Sequence, residues 1–366
     1  MGGSAILKYR DEYRNKDLCQ SIIKRITELT KEKVNIMEVC GTHTVSIFRS
    51  GLKELLPENI NLISGPGCPV CVTPIAAIDH IIALAREKDT IIVTFGDMVN
   101  VPGTSSSLKK EKANGADILI IYSPFQVIEI ARKYPEKKVI LIGIGFETTT
   151  PLLASVILEV AERQIDNFYL FSLAKIMPPI MQTLLQKKDA VIDGFLCPGH
   201  VSAIIGTKPY EFIPDNYHIP CVIAGFEPGD ILIGIYHIIQ QNINKKSFVE
   251  NKYQRVVKKE GNPVALRKMA EVFNEVDSTW RGIGNVKKSG LDLKEKYASM
   301  NARNLKVKIE KSREHPDCRC GEVLRGIITP LQCPLFRKIC TPENPIGACM
   351  VSSEGSCAAY YKYNSV

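Results

Sequence analysis

The sequence predicts an α/β protein with two similar parallel-sheet domains, related by internal duplication, and a C-terminal, mostly helical and loop-rich domain that holds an Fe–S cluster. Three observations predict it. Short apolar runs alternate with helical segments through the first 243 residues, the pattern of a parallel sheet covered on both faces. One strand–turn–helix order occurs twice. After about residue 243 the pattern gives way to a basic stretch and then to a tail dense in cysteine.

The elements follow in order. Apolar residues at helical spacing predict an amphipathic helix over about 14–31, "RNKDLCQSIIKRITELTKE". Strands are expected in "VNIMEVC" (34–40), "NLISG" (61–65), "TIIVTFG" (90–96) and "DILIIY" (117–122), with a helix over 74–88. The segment 139–162, "VILIGIGFETTTPLLASVILEVAE", then echoes 34–56 as strand, Gly- and Thr-bearing turn, and helix. "DGFLCPGHVSAIIG" (193–206) echoes 61–78 through a Pro-Gly turn after a strand, and 219–239 echoes 90–103. The expected domains are 1–130, 131–243 facing it, and 244–366, where 245–312 is basic and mostly helical, including 263–280.

Composition narrows the function classes. The 366 residues are 45% hydrophobic and 23% charged, as in folded soluble proteins. No apolar run approaches the ~20 residues of a spanning helix, and "MGGSAILKYRDEYRNKD" lacks a signal-peptide core, so a cytoplasmic protein with no membrane partner is expected. The net charge of +8 is densest between Lys245 and Lys311. Aromatic residues do not interleave with it, which argues against a nucleic-acid reader and for a solvated face or a dock for an acidic partner.

Cysteine is the outlying feature. Of twelve, six fall in the last 49 residues: Cys318, Cys320, Cys333, Cys340, Cys349 and Cys357. In a cytoplasmic chain this points to metal or redox chemistry rather than a disulfide framework. The gaps contain no C-x(2–4)-C knuckle of the kind zinc favours. A [4Fe–4S] cluster, which needs four thiolates from scattered loops, suits the spacing better. Four ligands would leave two cysteines as a dithiol or disulfide beside the cluster.

Two further cysteine stretches lie at strand ends, where open α/β sheets place ligands. In "MEVCGTHTVS", Cys40 ends a strand and His43 begins a helix, whose free N–H groups are expected to lower the thiol pKa. Cys40 is thus a candidate nucleophile or soft-metal ligand, with His43 as base or second ligand. In "GPGCPVCVTP", Cys68 and Cys71 could hold a metal, cycle between dithiol and disulfide, or fill space. The repeat places them beside Cys40. Facing them, Glu147, Thr148, Thr149, His200 and Glu227 could line a polar wall or serve as caps and turn residues. Cys19, Cys197 and Cys221 read as core residues.

"VCGTHT", "GPGCPVCVTP", "GFETTTP", "CPGHVS", "GFEPGD" and the cysteine tail, in this order, resemble the HypD family of [NiFe]-hydrogenase maturation proteins over nearly the whole chain. The resemblance implies a cytoplasmic scaffold for the Fe(CN)2CO unit rather than an enzyme with firm turnover of its own. It implies a stable complex with HypC, and transient contact with HypE, which delivers cyanide. It also implies a [4Fe–4S] cluster on Cys318, Cys333, Cys340 and Cys357, with Cys320 and Cys349 left as a dithiol pair. Cys40 becomes the thiolate on a transient Fe(II) carrying CN and CO, His43 a functional neighbour, and Cys68–Cys71 a redox-active pair. Many family members read CGTHxH, whereas this chain reads Thr44-Val45-Ser46 after His43. A rival reading is a thiol–disulfide oxidoreductase acting on protein substrates.

Overall fold

In the computed structural model, which describes residues 11–364, the apolar runs form two parallel sheets. The first contains β1 (Val34–Glu38), β2 (Ile60–Ser64), β7 (Gly194–Pro198), β8 (Cys221–Ala224) and β9 (Val249–Asn251), in the order β2-β1-β7-β8-β9. The second contains β3 (Thr90–Thr94), β4 (Asp117–Ile120), β5 (Lys138–Gly145) and β6 (Phe168–Ala174), in the order β4-β3-β5-β6. Every strand pair in both is parallel. Their sequences explain this: strands covered by helices on both faces are apolar along their whole length. "TIIVT" in β3 is buried at all its positions, and β5 from Val139 onward.

The α/β class and the positions of β1 to β5, β7 and β8 agree with the sequence reading, β6 and β9 fall where no strand was expected, and the expected division at residue 130 does not separate the sheets. The chain starts the first sheet with β1 and β2, builds all of the second, and returns for β7 to β9. Strands before and after residue 130 therefore occur in both sheets. The strand–turn–helix echoes are real as local structure, in β1 with helix Gly41–Arg49 and in β5 with helix Thr150–Glu162. One apolar core joins the sheets, including Met37, Ile63 and Phe195 from the first and Ile92, Ile140 and Phe171 from the second.

The expected helix over 263–280 also needs correction. A helix covers Pro263–Val272, capped by the Asn262 side chain, and is followed by an antiparallel hairpin of β10 (Phe273–Trp280) and β11 (Gly284–Leu293). The hairpin extends the edge of the second sheet: Ile176 N–H donates to the Ser289 carbonyl at 3.0 Å, and Ser172 Oγ to the Leu291 carbonyl at 2.5 Å. The C-terminal tail has short helices Cys320–Leu324, Ala348–Val351 and Ser356–Tyr363 joined by loops. No helix among the described residues is long and apolar enough to cross a membrane. The first ten residues, most of the stretch read for a signal peptide, lie outside the described residues.

Candidate metal-assembly site

Cys40 stands at the mouth of the first sheet. It is the residue before helix Gly41–Arg49, directly after β1, and is 9% exposed. Neighbouring parallel strands end alongside it. The helix Gly199–Ile205, which follows β7, carries His200, and the turn after β8 carries Gly225, Phe226 and Glu227. The helix is stapled to that last turn. His43 Nε2–H donates to the Gly225 carbonyl at 2.9 Å, and Ser46 Oγ donates to the Phe226 carbonyl at 2.5 Å. Phe226 in turn sits between two imidazoles, with ring centroids 4.8 Å from His43 and 4.0 Å from His200.

The electrostatics differ from the sequence expectation. Burial pushes the Cys40 thiol up to about 12, with the Glu354 and Glu38 charges adding to it. The N–H groups of His43 and Thr42 oppose this but do not win. Dehydration of a thiolate outweighs one helix turn's dipole here. His43 is fully buried and held near 4 by burial, so its ring is neutral. With Nε2 bound to a carbonyl, its Nδ1 lone pair is left without a partner. Glu38 accepts from the Cys40 N–H at 3.0 Å and from Thr44 Oγ1, and burial pushes its carboxyl up to about 8.

The loop carrying Cys68 and Cys71 lies against this turn. Gly41 N–H donates to the Gly67 carbonyl at 3.0 Å, and a Cβ on Gly67 would come within 2.2 Å of the Cys40 nitrogen. Cys68 and Cys71 are joined as a disulfide and are 3% and 0% exposed. Beyond the loop, the Arg281 N–H donates to the Val72 carbonyl at 2.8 Å.

The tail closes the other side of the site, a role the sequence reading missed. Thr42 Oγ1 donates to Glu354 Oε1 at 2.8 Å, and Gly41 leaves space that a Cβ would take from Glu354. Ser352 Oγ donates to Asp97 Oδ2 at 3.0 Å, so the same loop reaches the end of β3 in the second sheet. The only signal in the sequence was an acid between small residues in "SSEGS", which resembles any surface turn.

The facing polar residues divide. Glu147, at the end of β5, is buried. Its Oε1 accepts the Met177 N–H at 2.9 Å, its Oε2 has no partner, and burial pushes it up to about 7. Thr148 is exposed, and Thr149 precedes its helix without a side-chain cap. Glu227 is a cap, forming a reciprocal capping box with Asp230 and an ion pair with Arg14. Cys197 and Cys221 are core residues, as expected.

The tail cysteines gather. Cys318, Cys333, Cys340 and Cys357 line one small cavity, together with Cys320 and the apolar walls of Val323, Leu335, Phe336 and Met350. A Cβ on Gly347 would come within 2.7 Å of Cys320 Sγ and 3.0 Å of Cys318 Sγ, so glycine keeps this space open to sulfur. A cavity with five soft donors, one more than the four a [4Fe–4S] group needs, and an apolar shell fits that group. Among the described residues, no three His, Cys, Asp or Glu side chains surround a single-ion position. Cys349 lies behind the wall, where hydrogen bonds from Cys320 and Cys357 pull its thiol down to about 5, aided by the Arg281 charge.

Comparison with known proteins agrees with this arrangement. A family model described as HypD, "Hydrogenase formation hypA family", matches residues 17–364. The chain belongs to the HypD family of hydrogenase maturation factors. It is 44% identical over 366 residues to hydrogenase maturation factor HypD of Escherichia coli, covering 98% of both chains. It is 42% identical over 368 residues to HypD of Cupriavidus necator, covering 98% of this chain and 97% of that one. With HypD of Rhodobacter capsulatus it shares 42% over 373 residues, covering 98% of both. Three of the motifs that resemble the family, "VCGTHT", "GPGCPVCVTP" and the cysteine tail, carry the two sulfur sites.

Proposed function

We propose that this chain is the scaffold on which the Fe(CN)2CO unit of [NiFe]-hydrogenase is assembled, in complex with HypC and with cyanide arriving through HypE. Cys40 is the protein thiolate that takes the iron. The observation that carries this reading is the backbone contact between the Cys40 turn and the Cys68–Cys71 loop at the open ends of parallel strands. A soft thiolate suits low-spin iron(II) with carbon ligands. Iron must displace the Cys40 proton, and the Glu354 carboxylate, whose charge acts on that thiol, is placed to accept it.

The Cys68–Cys71 pair stores electrons beside the iron as the dithiol and releases them on forming the disulfide. Two electrons and two protons convert the disulfide to the dithiol, and oxidation returns them. A [4Fe–4S] cluster on Cys318, Cys333, Cys340 and Cys357 would supply those electrons one at a time, two of them reducing a Cys320–Cys349 disulfide to the dithiol, which then reduces Cys68–Cys71 by thiol–disulfide exchange. Cys320 and Cys349, within hydrogen-bond reach of each other, form the intermediate dithiol. The Arg281–Gly282 turn connects the two sulfur sites: Arg281 holds the Val72 carbonyl, while Gly282 lies against Gly321, next to Cys320. Burial of Cys68 and Cys71 weighs against the rival thiol–disulfide oxidoreductase, whose protein substrates must reach an exposed sulfur.

The test is infrared spectroscopy of the anaerobically purified HypC complex. With Cys40→Ala, the Fe–CN and Fe–CO bands should vanish while the visible absorbance of the cluster remains. Persistence of those bands would remove Cys40 from the iron.

A further inference from the structure

A cleft of about 600 Å3 lies between the end of β6, the helix Ile75–Ala85 and the β10–β11 hairpin. It is lined by Lys175, Arg303 and His80, together with Ser278, Thr279 and the acids Asp277 and Asp292. Lys175 directly follows β6, the position at which open parallel sheets present ligand-binding groups.

Lys175 is 2% exposed. Its Nζ donates to Ser278 Oγ at 2.7 Å and to the Thr279 carbonyl at 2.8 Å, both neutral acceptors. The ammonium has three donors, so one remains. Burial pulls its pKa down to about 7 and the positive charge of Arg303 adds to this, so the charged form needs support beyond the Trp280 ring that lies 5.0 Å from Nζ. Arg303 stacks over Phe171 at 4.4 Å and donates through Nη2 to the Ser172 carbonyl at 2.9 Å, leaving further N–H groups. Neither cation has a carboxylate hydrogen-bond partner among the described residues. Asp292 Oδ1 is occupied by the Leu293 N–H and by Asn301 Nδ2, and Asp277 Oδ1 by the Lys288 N–H. His80, edge-on to Phe171 at 5.0 Å, has a buried Nε2 with no partner.

A nearly fully buried ammonium beside a second cation is costly unless a counter-charge is present. We propose that this cleft binds a small oxyanion, a phosphate, sulfate or carboxylate group, held by Lys175 and Arg303 with His80 as a further hydrogen-bonding partner. No cysteine lines the cleft, so the proposal stands or falls independently of the iron-scaffold reading.

The experiment is calorimetric titration of the full chain, purified anaerobically, with inorganic phosphate, sulfate and malonate. Chloride near 0.15 M screens weak surface binding. Saturable one-to-one binding is expected, weakened at least roughly tenfold in Arg303→Gln, the scale of one charge-assisted hydrogen bond. Lys175→Met should abolish it, but Lys175 also ties down the hairpin; Arg303→Gln, at the rim, keeps the test decisive if that variant does not fold. Absence of saturable heat with all three anions overturns the proposal, as does unchanged affinity in Arg303→Gln.

Discussion

Burial sets the protonation of Glu147 more than any neighbour does. Its carboxyl rises from 4.5 to about 7 because no cation accompanies it into the core, and the one bond it accepts, from the Met177 N–H, only partly offsets this. A carboxyl whose folded pKa is raised contributes stability that is fully present below about pH 4.5 and is lost as the pH rises through about 7. Glu147→Gln keeps the acceptor for Met177 and removes the titration. In urea denaturation of the reduced apo chain, the variant should therefore show a shallower loss of stability between pH 5 and pH 8.5. At the upper pH it should exceed the wild type by up to about 3 kcal/mol. An equally steep fall in both proteins would show that Glu147 is not the titrating group. Asp230 presents the opposite arrangement: also buried, it is met by a cation, in a bidentate contact with Arg255 at 2.8 and 2.5 Å.

At the scale of elements, most of the parallel strands were legible because they are short, largely apolar and bounded by Gly, Pro and polar loops, whereas β6 and the polar β9, "VEN", were not. The hairpin was not. Only the two ends of "FNEVDSTW" are buried, and a bulge between Val276 and Ser278 breaks the pairing, so no period-two pattern marks it. Its tip was equally silent in sequence, yet it joins the sulfur sites. Cys40, His43 and the C-x-x-C pair stood out by residue type, whereas Glu354 and Arg281 acquire their places only through contacts with distant loops. Gly282 shows how tightly that tip is fitted. Its φ of +71° is left-handed, and an added Cβ would lie 2.0 Å from the Gly321 Cα. Gly282→Ala should cost about 1–2 kcal/mol from the backbone alone, and more from the displaced Gly321. Because Gly321 adjoins Cys320, the variant should also slow reduction of the Cys68–Cys71 disulfide, followed by thiol trapping and mass spectrometry. Normal stability with normal reduction would mean the tip tolerates the methyl group and does not set the spacing of the two sites.

For the whole molecule, the order of strands decides what can fold alone. Strand type follows from local composition, but which strands become neighbours depends on pairings between distant segments, and no local pattern encodes that β1 lies between β2 and β7. The recurring strand–turn–helix order invites a cut near residue 130 into two domains. In the folded chain, such a cut takes β7 from one side of β1 and β5 from one side of β3, opening both sheets at buried central strands. Those strands are apolar on both faces, and unpaired they form aggregation-prone edges. A fragment of residues 1–130 should therefore fail to fold: no cooperative denaturant transition by circular dichroism, and aggregation at micromolar concentration. Co-expression with 131–366 should restore soluble material that elutes as one species, because each sheet is then complete. A stable, cooperatively unfolding 1–130 fragment would contradict the interleaved topology and return the two-domain division that the repeat predicts.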